Sequence, residues 1–331
     1  MPKISVLMPV YNGIPYIQEA IDSVLTQEYR DLELVVSDNG STDKTADYVR
    51  SLNDPRIRFF QQISNLGVYG NLNFLIAEAR APIAQILCAD DKLLDGALAR
   101  IAQFMEERPT CALSRCWTVG DLAFFGPSGP GYIQGSLPLS LNCAAAVLAY
   151  ATFGNPVGNL SQAVCRPEKV IEVGGFNSEF SYAGDREGWL RVINRFGLEL
   201  HNEELVFERI HPLQNRNLLN TNYESFVQIN RTVELMAALV DPTDISLLKR
   251  HWIIHFLSPR TSAFVREAVR GNFQIASSMW RNLPLGISAS ACLTAYPLWK
   301  FRSSAATATV ERLMKRINEI NGSPAVSEWE A

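Results

Sequence analysis

Short apolar runs alternate with helix-period stretches through the first hundred residues. Residues 4–9 are an apolar run ended by the turn Tyr11-Asn12-Gly13. Residues 16–27 place Ile17, Ala20, Ile21, Val24 and Leu25 on one helical face. The strand pattern returns at 32–37, 57–60 and 83–88, and the helical pattern at 44–52, 69–79 and 96–107. Asp43 is expected to cap the second helix and Asp95 the fourth. Four strand–helix alternations at this spacing predict an α/β fold with a doubly wound parallel sheet.

Beyond residue 109 the regularity weakens. Residues 111–117 and 160–165 read as strands, 141–152 and 167–173 as helices. Residues 120–138 hold five Gly and three Pro, which predicts a long loop or hairpin, and loops of that length in compact domains are usually functional. After a Gly174-Gly175 break, 185–196 read as a helix and 205–210 as a last strand. From about residue 218 the pattern is helical, and the boundary is placed there.

The polar residues that interrupt this pattern sit at strand ends. Asp90 and Asp91 follow the 83–88 strand, and adjacent carboxylates repel unless a cation or donors lie nearby. Oxygen ligands suit Mg²⁺ or Mn²⁺. Pro9-Val10-Tyr11-Asn12 end the first strand and Asp38-Asn39 the second. In a parallel sheet these ends share one edge, where ligands bind. Neither a Gly-x-Gly-x-x-Gly nor a Walker loop follows the first strand, which disfavours Rossmann-type and P-loop sites. Taken singly, residues 38–43 read as a turn and a cap, Asp185 as a helix-start acid and His211 as a surface histidine.

Composition narrows the classes. The 331 residues are 47% hydrophobic and 19% charged, and the net charge of -4 argues against a general nucleic-acid binder. Six Cys without a C-x-x-C suggest a reducing cytoplasm. Strand-like sequence starts at Lys3, so no signal peptide is expected, and no apolar run of 18 predicts a membrane span.

Together the motifs resemble a family 2 glycosyltransferase. They are Ser5-Val6-Leu7-Met8-Pro9-Val10-Tyr11-Asn12, Asp38-Asn39-Gly40-Ser41-Thr42-Asp43, Asn65-Leu66-Gly67-Val68 running to Asn73, and Ala89-Asp90-Asp91. Gly174-Gly175-Phe176-Asn177 with Asp185 and Trp189-Leu190-Arg191, then Arg209-Ile210-His211, complete the order over residues 1–215. The resemblance implies a GT-A type doubly wound, mainly parallel sheet over residues 1–217, with a helical, basic extension over 218–331. It also implies inverting transfer from a nucleotide-sugar donor, UDP- or dTDP-sugar favoured, to a hydroxyl of a saccharide or lipid-linked acceptor in cell-surface polysaccharide biosynthesis. Pro9, Tyr11, Asn12, Asp38 and Asn39 match the segments that hold the base, and Asp90 the acid facing the ribose. Asp91 matches the acid that binds Mg²⁺ or Mn²⁺, with His211 a further candidate ligand, and Asp185 matches the catalytic base. Three positions depart from the family: Asn39 replaces an acid, Cys88 another, and Leu72 stands where relatives place Arg or Lys.

The rivals are a nucleotidyltransferase on a similar sheet and a catalytically silent nucleotide-sugar-binding protein. The first would carry a basic Gly-rich loop after strand one, which residues 10–13 lack. Residues 245–316 hold eleven Lys or Arg against Glu267 and Glu311, and are interleaved with aromatics. That composition predicts a peripheral foot on the anionic inner face of the plasma membrane. The opposing expectation is packing onto the catalytic domain or onto a second subunit in a homodimer.

Overall fold

The alternation in the first hundred residues is built as β1 (Ile4–Val10), α1 (Ile17–Leu25), β2 (Leu32–Asp38), α2 (Thr45–Ser51), β3 (Ile57–Gln61), α3 (Gly67–Glu78), β4 (Ile83–Ile86), β5 (Lys92–Leu93) and α4 (Ala97–Glu106). The computed structural model describes residues 2–120, 137–209, 211, 223–257, 269–271, 283–288, 291–292, 295 and 304–322. β3, β2, β1 and β4 lie parallel in that order. Six of the seven residues of β1 and all seven of β2 are buried, as mainly apolar strands require when both faces are covered; inside, Ser5 Oγ donates to Glu33 Oε1 at 2.6 Å.

The second half is mixed. β6 (Leu113–Gly120), β7 (Ser140–Leu141), α5 (Cys143–Phe153), β8 (Ala163–Cys165), α6 (Pro167–Glu172), α7 (Gly184–Phe196) and β9 (Leu198–Glu208) follow. The sheet runs β3-β2-β1-β4-β8-β6-β9-β5, with β7 on β9. β8 is antiparallel to both β4 and β6, and β9 is parallel to β6.

Three local expectations change. The 160–165 strand is half a 3₁₀ turn, because Asn159 and Gln162 form a reciprocal capping box there. β9 begins at Leu198 rather than 205: Leu198, Leu200 and Leu205 are buried, while exposed Asn202, Glu203 and Glu204 hide the continuity. Asp95 does not cap α4. Gly96 takes that position at φ 73°, a left-handed conformation that glycine adopts freely, and Gln27 Oε1 accepts from Leu98 N at 3.3 Å.

α5 explains how the C-terminal region attaches. Its sequence is apolar on every side, so it must be enclosed, and Ala145 through Phe153 are all buried. α7, α8 (Tyr223–Leu239), α9 (Ile245–Trp252) and α10 (Ser304–Asn321) pack around it. Asn142 caps its start and donates to Ile320 O at 2.9 Å. At its end His251 Nε2 donates to Thr152 O at 2.7 Å, and Trp252 Nε1 donates to Ala151 O. Met236, Leu248, Leu313 and Ile317 join one apolar cluster with Tyr69, Leu72 and Trp189.

Trp252, one of the aromatics interleaved through residues 245–316, is therefore a core residue. Phe256 lies in the Ile253–Leu257 turn that continues α9. Phe264, Phe273, Trp280, Tyr296, Trp299 and Phe301 lie outside the described residues, as does 121–136 of the Gly-rich loop. Among the described residues no helix is long and apolar enough to cross a membrane.

Candidate active site

Val10 of β1 stands in register with Asp38, the last residue of β2. Beyond them, two turns are laced together. Asn12, at φ 52°, lets residues 11–15 fold toward 41–45. Asn12 N donates to Ser41 Oγ (2.8 Å), Thr42 N to Asn12 Oδ1 (2.8 Å) and Gly13 N to Thr45 Oγ1 (2.9 Å). Asp43 accepts from Thr45 N (3.0 Å), as a cap should, and also from Ile14 N (3.2 Å). Pro9, Tyr11 and Asn12 thus line one fixed edge, with Tyr11 51% exposed. Asp38 is fully buried. Its Oδ1 accepts from Ser41 N at 3.1 Å, while Oδ2 has no partner among the described residues. A buried acceptor in that state is completed by a donor from a ligand or water.

Asn39, expected at the base, is hydrogen-bonded within the protein. Its Nδ2 donates to Asn65 Oδ1 (3.0 Å) and Gly67 O (3.1 Å), and its Oδ1 accepts from Leu66 N (2.8 Å). The side chain is committed to the 65–67 turn that starts α3. Leu72 faces the core of α3 and is fully buried, so its replacement of a basic residue serves packing.

The acid pair follows β4. Asp91 is 2% exposed: Oδ2 accepts from Ser161 Oγ (2.5 Å) and Oδ1 from Arg209 N (3.0 Å). Burial, then the charge of Asp90, raises the Asp91 pKa. Burial and the same two carboxylates raise the Cys88 thiol. Cys88, Asp90 and Asp91 present ligand atoms all within 4.8 Å of one another. A cation between the two carboxylates would favour their ionised forms against burial and their mutual repulsion. His211, the further candidate ligand, lies beside this trio. Its Nε2 lies 3.0 Å from Asp90 Oδ2 and its ring 4.5 Å from that of Tyr16.

Asp185 opens α7. The Gly174-Gly175-Phe176 turn places it: Asn73 Oδ1 accepts from Phe176 N and its Nδ2 donates to Phe176 O, both at 2.7 Å. Arg191 clasps Val173 O and Gly175 O, and Trp189 packs edge-on to Phe176 at 4.8 Å. Both carboxylate oxygens are engaged, Oδ1 with Tyr69 Oη (3.1 Å) and Oδ2 with Asn155 Nδ2 (3.2 Å). Burial raises the Asp185 pKa, against the charge of Arg186 and these hydrogen bonds. The segment that holds Asp185 through Asn155 also holds Asp91 through Ser161, so residues 155–161 join the two acidic sites. Tyr69, Asn155 and Ser161 carry no local sequence signal, because their partners lie 116, 30 and 70 residues away.

The family model described as Glycosyl transferase family 2 matches residues 5–134. The chain is 36% identical over 119 residues to a GalNAc(5)-diNAcBac-PP-undecaprenol beta-1,3-glucosyltransferase of Campylobacter jejuni, a match spanning 35% of this chain and 38% of that protein. It is 28% identical over 226 residues to an uncharacterized glycosyltransferase of Haemophilus influenzae, spanning 66% and 69%. In fold it is similar to S. aureus TarS 1–349 in complex with UDP-GlcNAc, with TM-score 0.63, 16% identity, and coverage of 97% of this chain and 92% of that one. It is also similar to the mannosyltransferase PcManGT of Pyrobaculum calidifontis in complex with GDP-Man and Mn²⁺, with TM-score 0.57, 18% identity, and coverage of 96% and 87%.

Proposed function

The chain belongs to glycosyl transferase family 2 through residues 5–134, and from that premise we propose a metal-dependent, inverting transfer of a sugar from a nucleotide-sugar donor to an acceptor hydroxyl. One observation carries the reading: residues 155–161 bind both Asp185, through Asn155, and Asp91, through Ser161. A proton acceptor and a cation-sized acidic trio therefore share one short support, as a single displacement demands.

Asp38 receives the base through its open Oδ2, and half-exposed Tyr11 lies against that edge. Asp90 faces the ribose. Asp91 and Asp90 would hold Mg²⁺ or Mn²⁺ through carboxylate oxygens, and a bound cation would supply positive charge to the departing diphosphate. Asp185 takes the proton of the acceptor hydroxyl as that oxygen attacks the anomeric carbon. Its raised pKa makes it a stronger base than a solvated aspartate. UDP- and dTDP-sugars are the favoured donors. The acceptor is a saccharide or a lipid-linked saccharide, which suits a cytoplasmic step of cell-surface polysaccharide biosynthesis. The TarS complex with UDP-GlcNAc, the PcManGT complex with Mn²⁺ and the undecaprenol-linked substrate of the Campylobacter relative are in keeping with these choices.

The test is a thermal-shift panel of UDP, dTDP, GDP and their sugar conjugates with Mn²⁺ or Mg²⁺, followed by release of label from the donors that bind. A ligand at 100 times its Kd stabilises by about 2.7 kcal/mol. Stabilisation that needs the cation, together with turnover, supports the reading. No stabilisation by any nucleotide defeats it, and binding without turnover identifies the silent alternative.

A further inference from the structure

We propose that Tyr69 is the positioning residue of Asp185, its hydroxyl serving the carboxyl group in both of its protonation states. The proposal rests on the reading of Asp185 as the base. Tyr69 Oη lies 2.7 Å from Tyr182 O and 3.1 Å from Asp185 Oδ1, and it has one proton for the two. A carbonyl only accepts. An ionised carboxylate also only accepts, whereas a protonated one donates.

The network fixes which oxygen changes role. Asn155 Nδ2 faces two acceptors, Gly158 O (2.7 Å) and Asp185 Oδ2 (3.2 Å), and Asn155 Oδ1 accepts from Val157 N (3.2 Å). The amide orientation is thereby set, and Oδ2 remains an acceptor throughout. The incoming proton resides on Oδ1. Before transfer, the Tyr69 hydroxyl turns to the ionised Oδ1. Once the acceptor's proton has moved to Asp185 and the acceptor oxygen has bonded to the anomeric carbon, the nucleoside diphosphate leaves with the electron pair. Oδ1–H then donates to Tyr69 Oη, and the hydroxyl proton swings to Tyr182 O. Two O–H rotations are required, that of the new carboxylic acid and that of the Tyr69 hydroxyl.

The ring is held for this task. Tyr69 is 5% exposed, and a Cβ at Gly184 would lie 2.6 Å from its ring carbons, so any side chain there would push the ring off the start of α7. The bond to Tyr182 O would alone satisfy a buried phenol, and the approach to Asp185 is additional. Among the described residues, the other titratable groups near Asp185 are engaged elsewhere. From α5, Tyr150 donates to Arg186 O at 2.9 Å, and on α7 Glu187 is paired with Arg191 at 2.7 Å. From α8, Gln228 accepts from Tyr182 N and Ala183 N, and Arg186 bears on Asp185 as a neighbouring charge.

The experiment is a carbon-13 NMR titration of the full chain labelled at aspartate carboxyls. The Asp185 resonance is assigned by its loss in Asp185→Asn. Tyr69→Phe removes a charge-assisted bond to the ionised form and a weaker neutral bond to the protonated one, so the Asp185 midpoint should rise by roughly one pH unit. Replacing Tyr69 by 3-fluorotyrosine keeps the ring and makes the hydroxyl a stronger donor, so the midpoint should fall. The fluorinated protein decides the matter if Tyr69→Phe does not fold. One midpoint shared by the wild type and the variants overturns the proposal. Turnover of donor by Asp185→Asn would instead overturn the reading of Asp185 as the base, and the titration is independent of it.

Discussion

Replacing Asp185 by Asn is the sharpest test of the site, because the pocket accepts an amide. With its oxygen toward Asn155 Nδ2, the new amide turns its nitrogen to Tyr69 Oη, whose proton then goes to Tyr182 O. Shape and both hydrogen bonds survive, and only the proton acceptor is lost. The rate should drop by ~10²–10⁴, equivalent to about 2.7–5.4 kcal/mol of barrier. Stability should move the other way. Burial raises the Asp185 pKa above its ordinary 3.8, so the folded protein retains this proton to higher pH than the unfolded chain does. That contribution is fully present below the unfolded value and is lost as pH rises through the folded one. The variant has nothing to lose over that window. At neutral pH it should therefore unfold at a higher temperature than the wild type, and the difference should close in acid. Initial rates at saturating donor and acceptor, with unfolding followed across pH, measure both. Turnover within about tenfold of wild type would refute the base. A variant less stable than wild type at neutral pH would refute the burial argument.

Removing the cation with EDTA, or the Asp91→Ala change, should lower transfer on the order of 10²-fold or more, and full activity in EDTA would end the metal assignment. Asn39→Asp sets a carboxylate against Asn65 Oδ1 and Gly67 O in place of an amide donor. It should destabilise the protein by about 1–3 kcal/mol in denaturant unfolding while altering nucleotide preference; unchanged stability would mean that the amide does not hold the turn. Trp252→Ala should cost about 3–5 kcal/mol, measured the same way, whereas a loss near zero would return Trp252 to the surface.

The sheet's parallel half was legible because β1 and β2, buried on both faces, are mainly apolar, with Ser5, Glu33, Ser37 and Asp38 the exceptions. β9 was half hidden because its exposed middle, Asn202 to Glu204, breaks the apolar run between Leu200 and Leu205. The acids were legible as well, since Asp38, Asp90, Asp91 and Asp185 all stand at the ends of elements. Their partners were not. Gln27 takes the capping task expected of Asp95 from 71 residues away, and no local pattern records such a pairing. Asn39 looked like a weakened reader of the base, yet its amide is what fixes the start of α3. Cys88 looked like a lost acid, and in three dimensions its thiol lies beside Asp90 and Asp91, with all three side-chain ligand atoms within 4.8 Å of one another.

The enclosure of α5 also bears on how the protein is made. α5 ends at Phe153, and α10, which closes over it, begins at Ser304. About 150 residues must be added between the two. At ribosomal speeds of ~5–20 residues per second, the interval is roughly 8–30 s. For that time a helix apolar on every face leaves the ribosome without its lid, while the parallel half of the sheet is already free to fold. The nascent chain should therefore depend on a holding chaperone between the emergence of α5 and that of α10. A stalled or prematurely ended chain would present its most adhesive helix to the cell.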